Sequence, residues 1–221
     1  GAETFTWPDG GTTMFRGEKN TQFEGGYRVP TMIRWPGVIK PGTVINEIGA
    51  HEDMLPTLVA AAGNTTVIAD ALKGWKTGKT TYKVHLDGYD LGPALRGEAA
   101  WPRKEFIYWT DDGSVAALRY ENLKITFLEQ QAEGLKVWQE PFVVLRAPKL
   151  TNLRMDPFER AEEENAMGYQ RWYMEHMFVI APAGAYVGQW LQSFREFPPR
   201  QKPGSFNLER VMEAVTNGSK Q

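Results

Sequence analysis

The chain has 221 residues, 25 Lys and Arg against 27 Asp and Glu, and a net charge of −2. That near-balance excludes a broad nucleic-acid surface, which needs clustered cations, and a polybasic membrane face; no apolar run approaches the roughly 20 residues of a membrane span. Cysteine is absent, which excludes disulfides, thiolate zinc sites and a cysteine nucleophile within these residues.

The first thirty residues are turn-rich and lack periodicity. Trp7-Pro8-Asp9-Gly10-Gly11 reads as a tight turn, and Gly17, Gly25 and Gly26 punctuate the rest of the segment. The apolar stretch Thr31 to Trp35, closed by Pro36-Gly37, predicts a strand. Met54, Leu55, Leu58, Val59 and Ala62 share one helical face, with Asp53 as the expected N-cap, Pro56 in the first turn and Gly63 at the C-cap. A strand followed by an amphipathic helix is an α/β pattern. Residues 64 to 102 read mostly as loop, with a short helical stretch near Leu91 to Leu95.

From Glu105 the pattern changes. Residues 106–109, 115–120 and 123–128 read as strands, and Glu121-Asn122 is a hairpin-length connection between the last two. Leu123, Ile125 and Phe127 alternate with Lys124 and Thr126, which predicts one buried and one wetter face. Phe142 to Leu145 is the expected fourth strand of an antiparallel meander. Asp111-Asp112-Gly113 reads as a turn. Residues 168–197 are expected to be helical in two pieces broken at Pro182. Pro198-Pro199 and Pro203-Gly204 read as a linker, and residues 208–215 as a last short helix. The Glu162-Glu163-Glu164 run reads as a solvated face.

The segment that most suggests chemistry runs from Gly17 to Pro30. It sets Lys19 on a glycine-rich loop ahead of the expected strand, where an ammonium and backbone N–H groups can hold an oxyanion. By itself such a lysine reads as a solvated charge, and Glu24 and Arg28 as a structural pair. His51 reads first as a structural or surface histidine and second as a cleft residue. His85, ahead of Leu86-Asp87-Gly88, is a second possible substrate contact. His176 reads as core or surface. Phe5, Trp7 and Trp35 read as core packing or as an apolar wall.

Read together, Lys19, Glu24-Gly25-Gly26-Tyr27-Arg28-Val29-Pro30 and Trp35-Pro36-Gly37 resemble the signature of the sulfatase family in the alkaline phosphatase superfamily. The resemblance continues through Asp53-Met54-Leu55-Pro56-Thr57-Leu58, Leu86-Asp87-Gly88, Leu95-Arg96-Gly97, Ala117-Leu118-Arg119, Leu123-Lys124-Ile125, Leu150-Thr151-Asn152-Leu153 and Asp156-Pro157-Phe158-Glu159, and covers roughly residues 15 to 160. It implies hydrolysis of sulfuric esters by a formylglycine hydrate with a Ca²⁺ ion, with Lys19 as a catalytic, sulfate-binding residue; His51 and His85 are further substrate-binding candidates by their positions alone. It implies an aryl, steroid or glycan sulfate as substrate and a periplasmic or secreted setting.

The chain departs from the family pattern at its start. None of its four serines lies in a Ser-x-Pro-x-Arg context, and the Asp-Asp metal pair expected near the amino terminus is absent. The expectation is therefore the carboxy-terminal portion of a sulfatase, inactive alone, whose nucleophile and calcium ligands lie outside this chain. Its partner would be the missing amino-terminal portion, or further copies of itself in an oligomer. The expected fold is α/β, a partial alkaline-phosphatase-like α/β layer over residues 1–100 plus a smaller four-stranded antiparallel sheet with packed helices over residues 101–221. The alternatives are a phosphonate or phosphodiester hydrolase of the same superfamily, a non-catalytic anion- or glycan-binding module, and a scaffold using the aromatic residues 169–190.

Overall fold

A computed structural model describes residues 13–162 and 168–206. The aromatic pair Phe5 and Trp7, most of the Glu162–Glu164 run and the helix expected at 208–215 lie outside the described residues.

The carboxy-terminal part is built on a four-stranded antiparallel sheet, β3 (Glu105–Trp109), β4 (Val115–Tyr120), β5 (Leu123–Glu129) and β6 (Val143–Asn152), in sequential order. The meander is as expected, and the fourth strand runs seven residues past its predicted end. One face carries Leu118, Ile125 and Leu150 against Ala183 and Val187. The latter pair belongs to α6 (Ile180–Leu191), which follows α5 (Tyr169–His176) and precedes α7 (Ser193–Glu196). The expected helix break is displaced. It falls at the 3-10 turn Met177–Val179, and Pro182 lies in the first turn of α6. A proline there removes an N–H that has no intrahelical partner anyway.

The opposite sheet face corrects the sequence reading. Lys124 is fully buried and Thr126 is 5% exposed. Register explains it: Arg119 lies directly opposite Lys124 on the neighbouring strand. Two like charges placed so repel, and the loop of residues 13–28 covers them and inserts Glu24 between them. The Glu24 carboxylate accepts from Arg119 Nη1 at 3.2 Å and from Lys124 Nζ at 3.2 Å. Glu24 is about a hundred residues away in sequence, so no local alternation could have announced it.

That loop contains a single helical turn, α1 (Glu24–Tyr27), and its two glycines are there for close backbone approach. A Cβ on Gly25 would lie 2.4–2.5 Å from the carbonyl oxygens of Phe15, Arg16 and Gly17, and one on Gly26 2.5 Å from that of Glu18. Gly25 N donates to Arg16 O at 2.6 Å, which folds the loop on itself. Backbone cannot step aside as a side-chain tip can. Gly25→Ala is therefore expected to cost about 2–3 kcal/mol, read as a lower urea midpoint with an unchanged slope.

The amino-terminal part is mainly helix and turn: α2 (Met54–Ala61), α3 (Val67–Lys73), the hairpin β1 (Trp75–Thr77) and β2 (Thr80–Tyr82), and α4 (Gly92–Leu95). α3 and the hairpin fall where sequence suggested loop. The strand expected at Thr31 to Trp35 does not form; the segment is unpaired, with Met32 97% exposed. A strand needs a hydrogen-bonded neighbour, and none of the described residues supplies one. The apolar face of α2 is likewise uncovered: Leu55 and Leu58 are exposed, while Pro56 and Thr57 are buried. Gly63 caps α2 at φ +109° as expected.

Candidate functional site

Lys19 sits on a turn whose every neighbour is tied down. Gly17 and Asn20 adopt positive φ, +85° and +58°. Thr21 Oγ1 donates to Glu18 O at 2.6 Å, and the Glu18 carboxylate accepts from Gly134 N at 3.0 Å. The Asn20 amide donates to Val137 O. Gln22 Oε1 accepts from Gln130 N at 2.9 Å. Glu18, Thr21, Gln22 and Glu24 are all buried, while the side chain of Lys19 is exposed. The turn thus presents one ammonium on a frame that has little freedom left to lose.

Beneath this turn lies a buried charge cluster that sequence reading missed. Lys124 Nζ donates to Glu159 Oε1 at 2.7 Å and to Gln22 O at 2.6 Å, besides Glu24. Glu159, at φ +54°, also accepts the backbone N–H of Glu24 at 2.7 Å through its Oε2. The Tyr108 hydroxyl donates to Glu24. Burial acts to raise the pKa of Glu24, but Lys124, Tyr108 and Arg119 together hold it below the ordinary value. At Glu159 burial prevails over Lys124 and the pKa is raised. The Glu24–Arg28 pair expected from sequence is present but loose, at 3.9 Å.

A second buried ion pair fixes the start of α2. Arg103 donates in fork geometry to Asp53, Nε to Oδ2 at 2.8 Å and Nη2 to Oδ1 at 2.5 Å. Asp53 is not the plain N-cap that its position suggested. A 3-10 turn, His51–Asp53, precedes α2, and the Asp53 carboxylate reaches back to Ala50 N at 2.9 Å and across to Tyr89 N at 2.8 Å. Gly88 makes this approach possible, since a Cβ there would lie 1.9 Å from Glu52 O. Neighbouring Glu52 has a raised pKa, from burial first and from Asp53 and Asp87, against the pull of Arg103.

Of the three candidate residues, only His51 lines the large cavity of the amino-terminal part. His51 lines an open cavity of about 820 Å³ together with Arg28, Ile33, Ile45 and Trp101. Neither Lys19 nor His85 belongs to that lining. His85 lies apart, with Nδ1 2.9 Å from Asp87 Oδ1 and its ring 5.8 Å from that of Phe197. Asp111 and Asp112 form the expected turn and anchor the carboxy-terminal segment: Ser205 N donates to Asp112 Oδ1 at 2.7 Å and Gly204 N to Asp111 O at 3.0 Å. Among the described residues no three His, Asp or Glu side chains converge as metal donors. No helix among the described residues is long and apolar enough to cross a membrane.

A four-stranded antiparallel sheet with helices on one face, docked to a turn-rich segment, is the arrangement of a known fold. A solved sulfatase, PsFucS1 from Pseudoalteromonas sp., matches it with a TM-score of 0.67 at 24% identity, over 91% of this chain and 37% of that chain. Residues 4–64 match the family model described as Sulfatase. Arylsulfatase A of Homo sapiens is 31% identical over 171 residues, 72% of this chain and 31% of that protein. Steryl-sulfatase of Mus musculus is 34% identical over 113 residues, 51% of this chain and 16% of that protein. The chain is a member of the sulfatase family, and it spans less than a third of the length of these two relatives.

Proposed function

We propose that this chain is the carboxy-terminal part of an arylsulfatase-like sulfuric ester hydrolase and that Lys19 is its contact to the sulfate group. In this reading residues 1–100 complete an α/β domain and residues 101–221 form the flanking antiparallel subdomain. The nucleophile, as formylglycine, and the Ca²⁺ ligands come from polypeptide outside this chain. The relatives are aryl and steryl sulfatases by name, and the substrate is a sulfate ester of that kind.

The observation that carries the reading is the position of Lys19, an exposed residue, on a fully anchored turn. A lysine side chain is costly to immobilise, and a rigid base lowers the cost of aiming it. At ~4 Å and an effective dielectric of ~20, one ammonium–sulfate pair is on the order of 4 kcal/mol before desolvation. The part retained for charge developing in the transition state accelerates the reaction.

The isolated chain is expected to hydrolyse no 4-nitrophenyl sulfate in the presence of calcium, whereas the chain extended amino-terminally through its nucleophile hydrolyses it. In that extended enzyme Lys19→Ala is expected to lower kcat/KM by about 10²–10³-fold, in the range of losing one transition-state donor. Turnover by the isolated chain overturns the incompleteness. An unchanged kcat/KM in Lys19→Ala overturns the role of Lys19, and faster hydrolysis of the matching phosphate esters overturns the sulfatase assignment.

A further inference from the structure

The turn that carries Lys19 is fastened at both of its shoulders to one short segment. On one side Glu18 accepts from Gly134 N, and on the other Asn20 donates to Val137 O. Those two atoms belong to the 3-10 turn Gly134–Trp138, which therefore lies alongside the turn that carries the lysine. In a 3-10 helix residues i and i+3 eclipse, so Leu135 and Trp138 share one face. Val137, 1% exposed, points inward and holds the turn to the body of the protein. Leu135 is 57% exposed and Trp138 46%. An apolar strip of one aliphatic and one indole side chain is thus carried on a segment hydrogen-bonded to the residues on either side of Lys19.

A cation beside an apolar strip matches a ligand that is anionic at one end and apolar at the other. We infer that Leu135 and Trp138 form the wall that receives the organic, alcohol-derived part of the sulfate ester, and that they select a planar apolar group there. This rests on the reading of Lys19 as the sulfate contact. It extends that reading from the sulfate to the leaving group: Lys19 fixes the anion, and the Leu135–Trp138 face discriminates among the alcohols attached to it. Indole and planar rings stack by their faces, and a methyl group presents too little surface to use the strip.

The test compares two probes, 4-nitrophenyl sulfate and methyl sulfate, titrated into the full chain and followed by ligand-observed NMR. The unaltered chain is expected to bind the aryl ester at least about 5-fold more tightly, the order expected for one aromatic contact. Leu135→Ala combined with Trp138→Ala is expected to remove that preference while leaving methyl sulfate affinity unchanged. Trp138→Phe, which keeps a flat ring, is expected to retain most of it. Both side chains are exposed, so an unchanged unfolding midpoint checks that the variants remain folded. Retention of the full aryl preference in the double variant, or its absence in the unaltered chain, overturns the wall while the Lys19 reading stands. Equal affinities of Lys19→Ala and the unaltered chain for both probes overturn the Lys19 reading, and the wall with it.

Discussion

Lys124→Met is expected to lower the thermal unfolding midpoint at pH 7 by roughly 6–20 °C, from a loss of about 3–5 kcal/mol. The ammonium is fully buried and neutralises two carboxylates that are themselves buried, Glu24 and Glu159. Methionine fills the volume but leaves both anions, and the carbonyl of Gln22, without their donor. The loss is dominated by stranded charge, not by the intrinsic worth of the pair.

The pH dependence separates this cause from simple packing. Glu24 has its pKa depressed in the fold, so its contribution is present above the ordinary carboxylate value and is lost as pH falls through the folded value. Glu159, raised by burial, acts with the opposite sign: it favours the fold at low pH and loses that contribution as pH rises through its folded value. Removing Lys124 pushes both carboxyls upward, because burial then acts unopposed by that charge. The gap between the unaltered protein and Lys124→Met is therefore expected to narrow as pH is lowered from 7 toward 4. A gap that stays constant with pH would show that a cavity, and not stranded carboxylates, carries the effect.

Arg103→Met is expected to be nearly as damaging, again about 3–5 kcal/mol. The guanidinium is 3% exposed and joins three separate pieces of chain. It forks onto Asp53 at the head of α2, reaches Asp87 O at 3.2 Å and touches Glu105 O at 3.3 Å at the start of β3. Arg103→Lys keeps the charge but loses the planar fork, so it is expected to recover only part of the loss. Because Asp53 also orders Ala50 and Tyr89 through their N–H groups, faster hydrogen exchange at those two amides is the local signature. Glu52 responds in the same direction: burial, Asp53 and Asp87 already raise its pKa, and loss of Arg103 raises it further. Unchanged exchange at Ala50 and Tyr89 in a destabilised Arg103→Met would show that the fork does not organise the head of α2.

Much of the fold is written in short-range pattern. The meander from Glu105 to Asn152 follows alternation and a two-residue connection, and α2 follows its apolar spacing to a glycine cap. The order Lys19, Glu24-Gly25-Gly26, Asp53 through Leu58 and Leu86-Asp87-Gly88 carries the family resemblance. These features are local, because backbone preference and side-chain periodicity act within a few residues. Where patterns failed, a distant partner decided. Thr31 to Trp35 has strand composition, yet pairing requires a second strand and none of the described residues provides one. The break placed at Pro182 moved to Met177–Val179, because proline in a first turn disrupts nothing.

By itself the sequence determined the type and order of the main elements and the glycines at which backbones must touch. It also contained the lysine that the sulfatase likeness singles out. Only the tertiary structure decided what those residues face. It turned the polar side of β5 inward by bringing Glu24 between Arg119 and Lys124, and it tied the Gly134–Trp138 turn to the residues on either side of Lys19. It also placed His51 at a cavity whose lining includes neither that lysine nor His85. The physical reason is that charge neutralisation and burial are properties of neighbours in space. The residues that neutralise Lys124 lie a hundred positions before it and thirty-five after it, beyond the reach of any local period.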